Sequence, residues 1–99
     1  MSVIMTLKAG GDTDAYRKFV DEKNAVLAGI SEEAKGKGCI HHSHGVGDGF
    51  VLIVDEWESA EAFQSFFASQ EEIPKLMKEI GMGEPEISFA EKIDSPDAF

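Results

Sequence analysis

The stretch Gly38–Trp57 limits what this chain can fold into more than any other. Asp48-Gly49 is a strong signal for a two-residue hairpin turn. The run after it, Phe50-Val51-Leu52-Ile53-Val54, is apolar on both faces, as expected of a central strand. The run before it is polar and glycine-bearing, which suits an edge strand. This hairpin holds all three histidines (His41, His42 and His44), the single cysteine (Cys39) and the single tryptophan (Trp57).

The flanking segments supply the support. Val3–Leu7 reads as a first, central strand, with Val3, Met5 and Leu7 on one face and Ile4 and Thr6 on the other. Ala9-Gly10-Gly11 turns the chain, and Asp12 or Thr13 caps a helix expected to run unbroken to about Ala34. Tyr16, Phe19, Val20, Lys23, Leu27, Ile30 and Ala34 recur there at three- and four-residue steps. Ser59 caps a second helix with a Phe63/Phe66/Phe67 stripe, and Ser69-Gln70 ends it. A short helix around Pro74 follows, and Gly81 and Gly83 stop it. The last strand is expected over Glu86–Ile93, before a tail at 94–99.

The order is β-α-β-β-α-β, the ferredoxin-like α+β plan. Right-handed crossovers make it a four-stranded antiparallel sheet with helices on one face, in one domain spanning 1–99. The other sheet face also carries Val, Ile and Phe, so a second copy is expected against it.

Charge removes several classes of partner. With 9 basic and 19 acidic residues the net charge is −10, which repels nucleic acid and anionic membrane surfaces. Arg17 is the sole arginine, so no cationic cluster exists to hold an acidic substrate. The first residues lack a signal-peptide pattern, and one cysteine permits no internal disulfide. The expected location is the cytoplasm.

Candidate chemistry gathers on the hairpin. With Asp48-Gly49 as the loop, Gly47 faces Phe50, His44 faces Ile53 and His42 faces Asp55. Ile40, His42, His44, Ile53, Asp55 and Trp57 then share one face, and Cys39, His41 and Ser43 the other. A His42–Asp55 pair is a usable base near neutral pH. Trp57, Phe63 and Phe66 offer an apolar wall for a flat ligand, with His44 and the Tyr16 hydroxyl at the rim. The bland alternative is a solvated edge strand with a cross-strand ion pair and a core tryptophan. A third reading is a metal on His42, His44 and Asp55: the two imidazoles stand about 6.6 Å apart along the strand. No fourth ligand is evident, so no metal and no other cofactor is assigned.

Asp55-Glu56-Trp57-Glu58-Ser59-Ala60-Glu61-Ala62-Phe63, followed by Phe66-Phe67-Ala68-Ser69, resembles the antibiotic-biosynthesis-monooxygenase-like proteins of the dimeric α/β barrel superfamily. The resemblance implies a homodimer whose two sheets close into a shared barrel. It also implies an apolar, aromatic ligand and, for an enzyme, oxygenation without metal or flavin. Some members degrade haem, using an asparagine on the first strand. This chain has Thr6 and its neighbours there, and its sole asparagine, Asn24, lies on the long helix. Many members also carry a histidine where Phe66 stands. Two functional classes follow: a pocket protein using His42 and Asp55, or a non-catalytic dimeric module with a filled interior. An apolar cavity reaching His42 or Trp57 separates the first from the second.

Overall fold

A computed structural model describes residues 2–99. Its elements are β1 (Val3–Gly10), α1 (Thr13–Glu22), α2 (Asn24–Gly36), β2 (Cys39–Val46), β3 (Phe50–Trp57), α3 (Ala60–Ser69), α4 (Glu72–Glu79) and β4 (Glu86–Glu91). The sheet is antiparallel in the order β2-β3-β1-β4, so both strands apolar on two faces are central and the histidine strand is an edge. This is the expected ferredoxin-like α+β arrangement.

The pleat sorts side chains between two environments. Met5, Leu7 and Ala9 of β1 and Val51 and Trp57 of β3 are buried beneath the helices, with Phe63, Phe66 and Ala34 packed on them from above. Ile4 and Val54 point the other way and are 38% and 37% exposed. At the hairpin, Gly47 N–H donates to the Phe50 carbonyl and Gly49 alone takes a left-handed φ of +77°. The loop thus has the two residues expected of Asp48-Gly49.

Capping follows the sequence closely. Asp12 Oδ1 accepts from the N–H groups of Asp14 and Ala15, and Ser59 Oγ accepts from Ala62 N–H. At the end of α4, Gly81 at φ +69° lets Met82 N–H reach the Met77 carbonyl while Gly81 N–H reaches that of Lys78. That paired arrangement satisfies carbonyls the helix leaves open.

Three expectations are corrected. The first helix is not continuous: it divides at Lys23, whose φ of −110° and ψ of 27° leave the helical region. The run Asp21-Glu22-Lys23-Asn24 is polar throughout, so no apolar contact holds the junction to the sheet. Lys23 is therefore the exposed break between two helices and not part of the apolar stripe. Second, β4 ends at Glu91, and Ile93 is 78% exposed. Pairing with β1 runs out at Val3, and only Lys92 N–H reaches back, to the Ser2 carbonyl. Third, β2 carries a bulge between Cys39 and His41, so Cys39 pairs with Trp57. Cys39 therefore packs against the core, and Ile40, expected on the inner face, is 46% exposed. The Gly38 carbonyl accepts the Glu58 N–H and pins the strand's start beside the end of β3, which leaves one residue in excess.

Candidate functional site

A cavity of about 610 Å³ lies between the helices and the inner face of the sheet. Its floor includes Leu7 and Trp57, α1 and α2 contribute Phe19 and Leu27, and α3 contributes Phe63 and Phe66. Along one edge it meets β2 and the imidazoles of His42 and His44. The division of the first helix matters here, because α1 and α2 bend over the cavity as separate segments.

The His42–Asp55 pair forms as the hairpin register requires. His42 Nδ1 lies 2.6 Å from Asp55 Oδ1, across directly paired positions of β2 and β3. Asp55 is only 6% exposed, while the His42 side chain is 41% exposed at the cavity edge. The other carboxylate oxygen, Oδ2, accepts from Trp57 Nε1–H at 3.0 Å. An indole N–H can only donate, and a carboxylate can only accept. Both acceptors of Asp55 are thus committed, and His42 donates from Nδ1–H. Its Nε2 is left as the nitrogen with the lone pair. The hydrogen bond to Asp55 raises the His42 pKa, burial opposes this, and the Asp55 charge adds to the rise.

Two of these partnerships were not anticipated. Asp55 and Trp57 are two residues apart on one strand and so share a face, a signal present in the alternation itself. The second is a hydrogen bond between the Tyr16 hydroxyl and His44 Nδ1 at 2.7 Å. Tyr16 stands one turn into α1, and α1 begins where β1 reaches the hairpin loop: Gly10 pairs with Phe50 and Gly11 N–H donates to the Gly49 carbonyl. Tyr16 therefore arrives beside His44, two residues from the end of β2. The rings of His42 and His44 are stacked with centroids 5.5 Å apart and planes at 25°. Burial, then the neighbouring His42, lowers the pKa of His44, partly offset by Asp55. Burial raises that of Tyr16.

Trp57, Phe63 and Phe66 form the aromatic wall. Trp57 is 1% exposed and meets Phe63 edge-on at 5.5 Å and Phe66 at 5.3 Å. A metal on His42, His44 and Asp55 is the third reading of the sequence. Among the described residues no cluster of three or more His, Cys, Asp or Glu is placed to hold an ion. Asp55 and the two Nδ1 atoms are already engaged, by His42 and Trp57 and by Tyr16. Cys39 reaches the cavity through the bulge, and burial followed by the Asp55 charge pushes its thiol up to about 11.

No protein-family model matches the sequence, and no curated protein matches it. Solved structures do match. A conserved protein from Methanosarcina mazei Go1 superposes with a TM-score of 0.69 at 18% identity, covering 94% of each chain. A monooxygenase from the gene ActVA-Orf6 of Streptomyces coelicolor, in complex with the ligand nanaomycin D, gives 0.66 at 17% identity, covering 95% of this chain and 89% of its own. The fold is that of the antibiotic-biosynthesis-monooxygenase-like proteins. A dimeric ferredoxin-like protein from an uncultured marine organism also matches, at 0.66 and 15% identity over 95% of this chain and 93% of its own. Among the described residues, no helix is long and apolar enough to cross a membrane.

Proposed function

We propose that this protein binds a flat, apolar aromatic metabolite in the 610 Å³ cavity and oxygenates it without metal or flavin, with His42 as base. One observation carries the reading: an apolar cavity of ligand size runs along an imidazole whose tautomer is locked by a buried carboxylate. A filled interior would have favoured the non-catalytic module instead. In the oxygenation, His42 Nε2 takes a proton from an activated CH₂ of the substrate. The carbanion adds O₂, the peroxide is protonated from His42, and loss of water leaves a carbonyl. The sum is CH₂ + O₂ → C=O + H₂O. Asp55 steadies the imidazolium during these transfers, and Trp57 holds Asp55.

The same reading places a second copy of the chain on the outer sheet face, where Ile4 and Val54 are exposed. The dimeric ferredoxin-like protein of this fold supports self-association. The test is oxygen uptake by the purified protein with a panel of polycyclic CH₂ and phenolic compounds. Wild type should consume O₂ with at least one of them, and His42→Ala should bind that compound without consuming O₂. Uptake unchanged in His42→Ala would remove His42 from the chemistry. Failure of every aromatic to perturb Trp57 emission would remove the pocket itself.

A further inference from the structure

Among the described residues, α4 alone of the four helices buries no side chain. Its apolar residues Ile73, Leu76, Met77 and Ile80 fall on one stripe, and all four line the cavity. Each is only half-buried. By contrast, α3 buries Phe63 and Phe66 and is capped by the Ser59 side chain, whereas α4 has no side-chain cap. A helix of eight residues does not hold itself in water, so α4 depends on what its stripe meets. What the stripe meets is the open volume of about 610 Å³, in place of a packed neighbour. The polar face gives no other hold. Glu71, Glu72, Lys75, Lys78 and Glu79 are exposed, and among the described residues no ion pair joins an α4 side chain to another element.

The two ends of α4, unlike its middle, are anchored. Before it, Gln70 is buried, and its N–H donates to the Phe67 carbonyl at the end of α3. Beyond it, Gly83 N–H donates to the Gly10 carbonyl of β1 at 2.8 Å. Met82 lies so close to Gly11 that a Cβ there would meet its sulfur at 2.7 Å. Gly81, at φ +69°, turns the chain between helix and anchor, and Gln70 is extended, with ψ 124°, where Glu71 is already helical. Pivots thus stand at both ends of a short amphipathic helix. An apolar ligand in the cavity supplies the packed surface that the stripe lacks. It touches the stripe only when α4 lies down, so its binding draws α4 toward that position.

We propose that α4 is a hinged cover over the cavity, lifting to admit an apolar ligand and packing down once the ligand fills the space beneath its stripe. This rests on the cavity being the binding site, so the experiment separates the two claims. The probe is N-phenyl-1-naphthylamine, a neutral dye that brightens in apolar surroundings, and amide hydrogen exchange is followed by NMR without and with it. In the free protein, the amides of Leu76–Glu79 should exchange at least about tenfold faster than those of Gln64–Phe67 in α3, because few contacts hold α4 down. With the dye at ten times its Kd, exchange in α4 should slow about elevenfold, the factor by which a ligand specific to the closed form suppresses opening. Met77→Ala thins the stripe and should speed dye release about tenfold in stopped flow, while Lys75→Ala on the exposed face leaves release unchanged. Exchange in free α4 as slow as in α3 makes the helix a fixed wall and overturns the proposal. So does α4 exchange that bound dye leaves unchanged, or release unaltered in Met77→Ala; in each case the cavity still binds. A dye that does not brighten overturns the reading of the cavity, and the cover with it.

Discussion

Replacing Asp55 by Asn is the most informative single change, because the two partners of Asp55 leave the amide only one orientation. Trp57 Nε1–H is buried and can only donate, so the amide oxygen must face it. The amide NH₂ then faces His42 Nδ1, which has to accept. His42 is thereby switched to the tautomer with hydrogen on Nε2, and the lone pair that faced the ligand is gone. Turnover should fall by about 10²–10⁴-fold, the usual contribution of a general base. Stability should fall less. Both contacts survive as neutral hydrogen bonds, and His42 is well exposed, so about 1–2 kcal/mol is lost. For a chain this short that lowers Tm by roughly 5–15 °C. Asp55→Ala should cost about 1–3 kcal/mol more, since the indole N–H is then buried without a partner. The direct assay is ¹⁵N NMR of the imidazole, which distinguishes the tautomers and follows titration. In wild type His42 should carry hydrogen on Nδ1 and titrate above its ordinary value. In Asp55→Asn the hydrogen should move to Nε2 and the titration should shift down. An Asn variant in which His42 keeps both its tautomer and its raised titration would refute the reasoning.

The two histidines should also pull stability in opposite directions with pH. The raised pKa of His42 means that the folded state binds its proton more tightly. That contribution is fully present below about 6.5 and is lost as pH rises through the folded value. For His44, with a lowered pKa, the unfolded state binds the proton more tightly, so stability rises with pH from the folded value to about 6.5. Urea midpoints measured across this range should fall with pH above 6.5 in wild type, and that fall should disappear in Asp55→Asn. Phe66→Ala removes a buried ring tilted against Trp57 and should cost about 3 kcal/mol, read as a drop in the thermal midpoint; a loss below 1 kcal/mol would mean the cavity wall collapses freely. Val54→Lys puts a charge at the centre of the outer face and should turn a dimer into single subunits in sedimentation velocity, with the fold unchanged by circular dichroism. Cys39, with its thiol near 11, should react with a thiol reagent at pH 8 about a hundredfold more slowly than free cysteine.

Much of this architecture can be read from residue order, and the parts that cannot share a cause. Apolar residues on both faces identify β1 and β3 as central strands, because the make-up of a strand's two faces is a local property. The Asp48-Gly49 loop sets the register that pairs His42 with Asp55, again locally. The helix division at Lys23 escapes notice because the residues around it are tolerable helix formers; what is missing is a contact with the sheet, which only the fold reveals. The bulge that exchanges Cys39 for Ile40 depends on where β2 must meet Glu58 at the far end of the hairpin. The Tyr16–His44 bond joins residues 28 apart, and it requires knowing that α1 starts at the loop end of the sheet.

Two chemically identical side chains on one strand thus receive different tasks from their surroundings. His42 faces a carboxylate that is itself held by an indole, so its outer nitrogen is kept basic. His44, two residues on, is hydrogen-bonded to a phenol, and burial, then the neighbouring His42, lowers its pKa. Environments that push neighbouring titratable groups apart are the means by which one site holds an acid and a base at one pH. Exchanging the partners should therefore exchange the roles. With Asp55→Asn and Ile53→Asp together, the carboxylate moves from the position opposite His42 to the one opposite His44. His44 should then titrate above His42, an inversion visible in the same imidazole spectra. If the order is unchanged, position along β2 governs the two rings and the facing residue does not.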